Sequence, residues 1–310
     1  MSFAPTPIAL TQSSVFEQAL SPLGLEGQRE TLRLNGQDVG HALVLSRKVP
    51  MLGRIRALVR GPVWSADLSA PARLEALHGL GGSLPHLIEA DAPDPIFRGA
   101  GYRMVMSPGA TGWLDIGAGD TARDMPRAHP KWRANLARAR NAGFRTIAGP
   151  FGGTRGQWLL TQEAGLRKSR GYRSVANPIS RALVAGAPDA LCLISAETRG
   201  PTPETLAAML FVRHGQSATY LIGATTDAGR AACAHHLLLA EAAERLSRED
   251  VRWIDLGQID TEANPGLARF KLGTGAELHS LGGSWLCLPI VARARFTGKA
   301  GSPMVEPLKR

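Results

Sequence analysis

A loop near the C-terminus groups the residues that are best suited to chemistry. The stretch Trp253–Gly275, WIDLGQIDTEANPGLARFKLGTG, runs from a short apolar segment into a loop punctuated by glycine and proline. It carries three acids and two bases, which are Asp255, Asp260, Glu262, Arg269 and Lys271. A carboxylate can orient or deprotonate an amine, and cations can hold a phosphate or a developing oxyanion. We therefore treat this loop as the candidate site.

The chain must turn twice to bring these side chains together. Gly257 allows a sharp turn after Asp255, and residues 263–266 form a second turn that returns the chain. Arg269 and Lys271 lie two residues apart, so they share one face if that stretch is extended. On this interpretation an acid and two bases face one cleft. The alternative is that Asp255 only caps a turn, a common role for an aspartate at the end of a strand.

The composition is that of a basic globular protein. The chain has 310 residues, 44% of them hydrophobic, and its 36 basic and 26 acidic residues give a net charge of +10. This surplus attracts polyanions such as RNA or phosphorylated cofactors, although a basic, solubilising surface explains it equally well. Three cysteines without Cys-x-x-Cys spacing favour neither a disulfide framework nor a zinc site. No apolar run is long enough to span a bilayer and no signal peptide is apparent, so we expect a cytoplasmic protein.

The N-terminal half is predicted to form strands followed by a helix. The sequence predicts a hairpin over residues 42–46 and 54–59. Its second arm puts Arg54, Arg56 and Arg60 on one face, which suits either an anionic ligand or a solvated sheet surface. The segment AHPKWRANLARARNAGF predicts a helix that docks through Trp132 and has basic rims.

The C-terminal half has a regular order of elements. Residues 149–156, GPFGGTRG, are rich in glycine and proline, which indicates a linker. After it we expect two helices, an antiparallel meander of three strands, a helix, a strand, the loop and a last strand. His235 and His236 are neighbours on the predicted helix and point apart, so they make no metal pair. We expect no metal in this protein.

This order resembles the Fem family of peptidoglycan-bridge aminoacyl transferases, which belongs to the GNAT acyltransferase superfamily. The resemblance rests on HPKWRANLARARNAGF, on MLFVRHGQSATYLIGATT before a long helix, and on WIDLGQID followed by GLARFKLGTG. The RGPVW segment at Arg60–Trp64 is similar to a strand ending of the family. The resemblance implies an α/β (α+β) fold of two tandem GNAT-like domains, each with a mixed, mainly antiparallel sheet flanked by helices. We assign these domains to residues 1–148 and 149–310, with the donor cleft in the second.

The resemblance also implies roles for individual residues. GNAT-like sheets splay open between their fourth and fifth strands, here Ala218–Ile222 and Val251–Leu256, and the acyl donor lies in that gap. Lys271 matches the lysine of the family's Phe-Lys motif, which suggests contact with a donor phosphate or with the oxyanion. Asp255 would then orient or deprotonate the amine, which attacks the donor directly.

Further residues are expected to assist at the cleft. Arg269 would hold a donor phosphate, and Tyr220, on the splayed strand, would protonate the leaving group. The basic segment RKSRGYR borders the acceptor side in GNAT-like folds. Arg170, Tyr172 and Arg173 would grip an anionic substrate there, unless this segment is a solvated loop.

Three interpretations of the function remain open at this point. The donor is an aminoacyl-tRNA, which the resemblance implies and we favour, or an acyl thioester on coenzyme A or on an acyl carrier protein. Coenzyme A enzymes of this superfamily carry Arg/Gln-x-x-Gly-x-Gly/Ala where the long helix begins, but TTDAGRAACAHH has Gly229 and Arg230 without the full spacing. Either donor is a cosubstrate, so no permanently bound cofactor is expected. The third interpretation is a GNAT-like binding module without catalytic activity.

Overall fold

The structure is a computed structural model that describes residues 7–51, 53–65, 67–80, 84–117, 124–170 and 176–287. The strands, in chain order, are β1 (Glu26–Leu34), β2 (Gln37–Val49), β3 (Gly53–Gly61), β4 (Val63–Trp64), β5 (Leu87–Ala90), β6 (Arg103–Met106), β7 (Ala110–Asp115), β8 (Arg145–Gly149), β9 (Leu191–Glu197), β10 (Thr205–His214), β11 (Ser217–Thr225), β12 (Trp253–Gln258), β13 (Glu277–Ser280) and β14 (Gly283–Leu286). The helices are α1 (Ser14–Gln18), α2 (Ala70–His78), α3 (Ile96–Gly99), α4 (Pro130–Asn141), α5 (Gly153–Arg170), α6 (Ala176–Gly186), α7 (Asp227–Ala231), α8 (Ala234–Arg248) and α9 (Pro265–Leu272). None of these helices is long and apolar enough to span a membrane.

Two mixed, mainly antiparallel sheets organise the described residues. The first has the order β1-β2-β3-β5-β14-β6, with β4 beside β2, and its parallel pair is β3 and β5. The second has the order β13-β7-β12-β11-β10-β9-β8, and its parallel pair is β11 and β12. The meander β9-β10-β11 is antiparallel, as predicted. The expected fold class is therefore confirmed.

The two sheets exchange strands across the middle of the chain. Strands β7 and β8 precede residue 150 but pair in the second sheet, whereas β14 lies between β5 and β6 in the first. A division at residues 148 and 149 therefore does not follow the sheets. The predicted linker is also wrong in its second part, since α5 begins at Gly153.

Helix α4 docks as its sequence predicts. Trp132, Leu136 and Ala139 are each no more than 3% exposed and belong to one apolar cluster with α8 and the second sheet. Pro130 occupies the first turn, where its missing N–H is not needed, and Arg138 and Arg140 lie in the last turn. The helix therefore covers one face of the second sheet close to β12.

The second sheet is held by apolar layers on both faces. Along β10, Met209 and Phe211 face the cluster that contains α8, whereas Leu210 and Val212 face the cluster formed with α5 and α6. All four side chains are fully buried, and each such burial stabilises the fold by about 1.5–3 kcal/mol. The centre of the sheet that carries the candidate site is thus packed on both faces.

Candidate functional site

The candidate site lies where β11 and β12 separate. The two strands pair only at Ser217 with Trp253, Ala218 with Ile254 and Thr219 with Asp255. Beyond Thr219, β11 continues to Thr225 without pairing to β12, while β12 continues beside β7. The splay predicted between these strands is therefore confirmed, and Asp255 marks the point at which the gap opens.

Asp255 is buried at this point and both of its carboxylate oxygens have partners. Oδ1 accepts hydrogen bonds from the Thr111 hydroxyl at 2.6 Å and from the Gly257 amide at 2.8 Å. Oδ2 lies 3.4 Å from Nη1 of Arg60. The side chain is 5% exposed. Two of these contacts converge on Oδ1, and the one with the Gly257 amide holds the turn that the chain makes at Gly257, within β12.

Lys271 lies on α9 and not on an extended segment, and its amine is close to Gly257. It is 6% exposed, and its Nζ donates a hydrogen bond to the Gln258 carbonyl at 2.8 Å. Burial lowers the pKa of Lys271 to about 8, and attraction to Asp255 acts in the opposite direction. Gly257 turns the chain here with a φ of 74°, a conformation that favours glycine. The amine is thus held on Gln258, in the part of β12 that does not pair with β11.

The prediction that Arg269 and Lys271 share one face is wrong. Asn264 precedes α9 and Pro265 begins it, so the segment predicted as an extended return is helical. Residues two apart on a helix point about 200° from each other. Accordingly, Arg269 is exposed while Lys271 is buried.

The other predicted substrate residues fall at or beyond the limits of the described chain. Arg170 is the last residue of α5. Tyr172 and Arg173 lie outside the described residues. The roles of all three stay predictions.

Tyr220 lies on the part of β11 that pairs with β10 but not with β12. It is half-buried, and its ring centroid lies 5.6 Å from that of Phe211. Its hydroxyl occupies the space that a side chain at residue 223 would take, so Gly223 makes room for it. This position beside the gap is compatible with the predicted contact to a leaving group.

Arg60 reaches the site from the first sheet, a contact that the sequence did not predict. Its Nε pairs with Asp91, and its Nη1 lies near Asp255. His279, on β13, donates from Nε2 to the Asp91 carbonyl at 2.8 Å. Hydrogen bonding to the Asp91 side chain raises the pKa of His279. The only sequence signal was the RGPVW strand ending, which indicated the family and not a contact.

The arginine face predicted on β3 is not a free cationic surface. Each of its three arginines has an acidic partner, and the pairs are Arg54 with Glu26, Arg56 with Glu30, and Arg60 with Asp91 and Asp255. The acidic partners disfavour the interpretation of this face as an anion site. The alternative of a solvated sheet surface fits the exposed Arg54 but not Arg56 and Arg60, which are mostly buried.

Aromatic rings and histidines pack beside the part of β11 that does not pair with β12. The centroid of the His236 ring lies 4.9 Å from that of Trp132 and 5.1 Å from that of Phe270. His235 shares a hydrogen bond of 3.0 Å with the Ala224 carbonyl on β11. Burial lowers the pKa of His236 to about 4 and also lowers that of His235. Both imidazoles are therefore neutral at pH 7 and serve the packing of this region.

The corner between β11 and α7 is closely packed by side-chain and backbone groups of Thr225, Thr226 and Gly229. The Thr226 hydroxyl accepts from the Gly229 amide at 3.1 Å. A side chain at residue 229 would lie 2.6 Å from Oγ1 of Thr225, so Gly229 serves close packing. Asp227 is fully exposed in the first turn of α7. The Asp227 carboxylate disfavours a pyrophosphate at this helix N-terminus, and Nε of Arg230, 3.9 Å from it, offsets part of its charge.

A separate cavity of about 740 Å3 lies at the opposite end of β12. Its lining includes Asp115, Arg127 and Arg252 but none of Asp255, Lys271 and Tyr220. The cavity is therefore distinct from the gap between β11 and β12.

Comparison with known proteins gives structural relatives only. No family model matches the sequence, and no curated protein matches it. The solved structure of FemX is 13% identical, covers 93% of this chain and 94% of its own, and has a TM-score of 0.72. The C-terminal domain of a protein named as a lysylphosphatidylglycerol synthetase, from Agrobacterium fabrum, is 14% identical over 93% and 92% of the two chains, with a TM-score of 0.53. A tandem GNAT protein from the clavulanic acid biosynthesis pathway is 15% identical over 91% and 89%, with a TM-score of 0.50.

Proposed function

We propose that this chain, which has the Fem-like tandem fold of the GNAT superfamily, transfers an acyl or aminoacyl group to an amine. The observation that carries the proposal is the gap between β11 and β12, with a buried lysine of lowered pKa at its edge. Buried ionisable groups with shifted pKa values concentrate at functional sites. A splayed strand pair also exposes backbone groups that a donor can use.

The reaction is a direct attack of the acceptor amine on the donor carbonyl. The new C–N bond forms first and leaves a negative charge on the carbonyl oxygen. The ammonium group of Lys271 stabilises this oxyanion, an interaction that is stronger in the transition state than in the ground state. The bond from carbon to the leaving oxygen or sulfur then breaks. The leaving group takes a proton from Tyr220, and the proton that the nitrogen loses returns to Tyr220 through water, so that no charge is left over.

We assign Asp255 a structural role and not the role of a group that orients or deprotonates the amine. Because its carboxylate is held by Thr111, Gly257 and Arg60, we assign it the role of fixing the turn that presents Lys271. Arg269 is exposed on the other side of α9 and is available to a phosphate of the donor.

The favoured donor is an aminoacyl-tRNA. The excess of basic residues supplies phosphate contacts for RNA. The filled corner at Thr226 and Gly229, with the exposed Asp227 carboxylate, disfavours the pyrophosphate of coenzyme A. A thioester carried by coenzyme A or by an acyl carrier protein is the second candidate.

A binding competition on the purified protein tests the donor. Charged total tRNA, uncharged tRNA and a panel of acyl-coenzyme A thioesters are compared at two salt concentrations. We expect charged tRNA to bind best, and its affinity to fall steeply with salt because phosphate contacts release counterions. If acyl-coenzyme A thioesters bind and charged tRNA is not preferred, the donor is a thioester and not an aminoacyl-tRNA.

Variants at the site then test catalysis itself. Lys271→Ala and Asp255→Ala are each expected to lower kcat/KM at least roughly tenfold, about 1.4 kcal/mol of transition-state stabilisation. Arg181→Ala, at a position on α6 away from β12, is the control and should leave kcat/KM unchanged. Full activity in both site variants would overturn the assignment of Lys271 and Asp255 to the site, whereas a protein that binds a donor but transfers nothing would favour a binding module without catalytic activity.

A further inference from the structure

One buried arginine connects acids from the two sheets. Arg60 belongs to β3 of the first sheet, and its guanidinium contacts Asp91, which follows β5, and Asp255 on β12 of the second sheet. The side chains of Arg60 and Asp255 are only 16% and 5% exposed. The guanidinium of Arg60 thus extends from the first sheet to Asp255, beside the turn at Gly257 in β12.

Stability alone does not explain this arginine. Its φ is 55°, which residues other than glycine rarely adopt, and the ladder between β3 and β5 shifts register between Val59 and Gly61. Its Nη2 is buried without a hydrogen-bond partner among the described residues. Buried ion pairs are often no more stabilising than apolar residues of similar size. Backbone strain, an unpaired donor and buried charge therefore coincide at one residue, a combination typical of functional sites.

The surroundings hold Arg60 in this conformation. The Val59 carbonyl accepts hydrogen bonds from Nε2 of Gln12 at 2.7 Å and from the Thr11 hydroxyl at 2.9 Å. Burial would raise the pKa of Asp91, but its contacts with His279 and Arg60 outweigh that effect and lower it. Asp91 is therefore an anion at neutral pH, and it holds the guanidinium at Nε while Asp255 lies near Nη1.

We propose that Arg60 is a positioning residue for Lys271, an inference that rests on the proposed function. Arg60 holds Oδ2 of Asp255, whose Oδ1 accepts the Gly257 amide at 2.8 Å. The next residue, Gln258, receives Nζ of Lys271 on its carbonyl at 2.8 Å. The position of the lysine amine beside the gap therefore depends on a guanidinium from the other sheet.

The same arrangement connects Arg60 to the protonation of Lys271. The charged group that faces Lys271 directly is Asp255, and behind it lie Arg60, Asp91 and His279. Without Arg60, the Asp255 carboxylate would lack its compensating charge and would attract the ammonium more strongly. A release of the turn would expose the lysine to water, which also favours the ammonium. Both effects raise the pKa of Lys271.

A titration by NMR measures this coupling without any substrate. The sequence contains six lysines, so 13C labelling of lysine Cε gives a small set of signals, and the Lys271 signal is assigned by its loss in Lys271→Arg. In Arg60→Gln we expect the titration midpoint of Lys271 to rise by about one unit, typical for a change in a nearby charge. The matched control is Arg56→Gln. Arg56 lies on β3, as Arg60 does, and its comparably buried ion pair is with Glu30 on β1 and not with a residue of β12. There the midpoint should not move.

A second variant protects the test against loss of the fold. Asp91→Asn releases Arg60 from the first sheet and lets it compensate Asp255 more fully, so the Lys271 midpoint should fall. A midpoint that stays within about 0.2 units of the wild type in both variants would overturn the positioning role. If the midpoints move as expected but no transfer to any acceptor is found, the coupling stands and the proposed function fails. Transfer activity together with an unmoved Lys271 midpoint would support the proposed function and overturn the coupling.

Discussion

Replacing Lys271 with methionine should change how the stability of the protein depends on pH. Burial lowers the pKa of Lys271 from 10.5 to about 8, so the folded protein holds this proton less tightly than the unfolded chain. Between these two values the unfolded chain binds more protons, and the free energy of unfolding of the wild type rises with pH. The stabilising contribution is complete above 10.5 and is lost as the pH falls through about 8.

The size of the effect follows from the same two values. The step from 10.5 to about 8 is roughly 2.5 units, which at about 1.4 kcal/mol per unit corresponds to about 3 kcal/mol. Methionine has a similar length and does not titrate. The difference in unfolding free energy, wild type minus Lys271→Met, should therefore increase by about 3 kcal/mol from neutral to strongly alkaline pH. At neutral pH the variant should lose little stability, because it removes a buried charge.

Urea unfolding at a series of pH values measures this difference. Lys131→Met provides the control, because it removes a lysine that is exposed on α4. A difference between wild type and Lys271→Met that is constant across the range would refute the reasoning, since Lys271 would then titrate alike in the folded and unfolded chain. A difference that falls with rising pH would contradict its sign.

Three further variants test the surroundings of the lysine. Asp255→Asn should lower the pKa of Lys271 further, because Asp255 supplies the attraction that raises it; NMR of the lysine signals would show an unmoved midpoint if the two groups are uncoupled. Gly257→Ala should lower the unfolding free energy by about 1–2 kcal/mol, because its φ is 74°, and a neutral result in urea unfolding would mean that the turn relaxes. Tyr220→Phe should lower kcat at least roughly tenfold without a matching change in KM if its hydroxyl protonates the leaving group, and an unchanged kcat would remove it from the mechanism.

The scaffold could be predicted from sequence because its signals are local. Helix α4 shows an apolar stripe at helical spacing, a proline in its first turn and basic residues at its end. The strands of the meander are short apolar runs separated by turn residues, and each buries both faces against helices. The gap between β11 and β12 follows from the order of these elements once the resemblance is recognised. Such signals need no knowledge of distant contacts.

The conformation of the segment after β12 could not be read from its composition. Asn264–Gly266 has the residues of a turn, but Pro265 also suits the first position of a helix, and α9 begins there. Eight residues are too few for a helical period to outweigh an extended conformation. The choice matters because only the helix separates Lys271, which is buried, from Arg269, which is exposed.

The contact of Arg60 with Asp255 was beyond sequence reasoning for another reason. The two residues are 195 positions apart and belong to different sheets. Arg60 also leaves the regular alternation of β3 through its positive φ, so even a correct strand assignment gives the wrong direction for its side chain. No local pattern encodes this pair.

The choice of a lysine at position 271 is itself informative about the site. Only six of the 36 basic residues in this chain are lysines, and the buried position beside Gln258 is one of them. An arginine keeps its charge in proteins, whereas a buried lysine changes protonation readily. A site that needed only a fixed cation could use the arginines in which this chain is rich. A site in which an amine loses a proton while an oxyanion forms and collapses gains from a cation whose charge can change. Lys271, buried near Asp255 and with its pKa lowered to about 8, is such a cation.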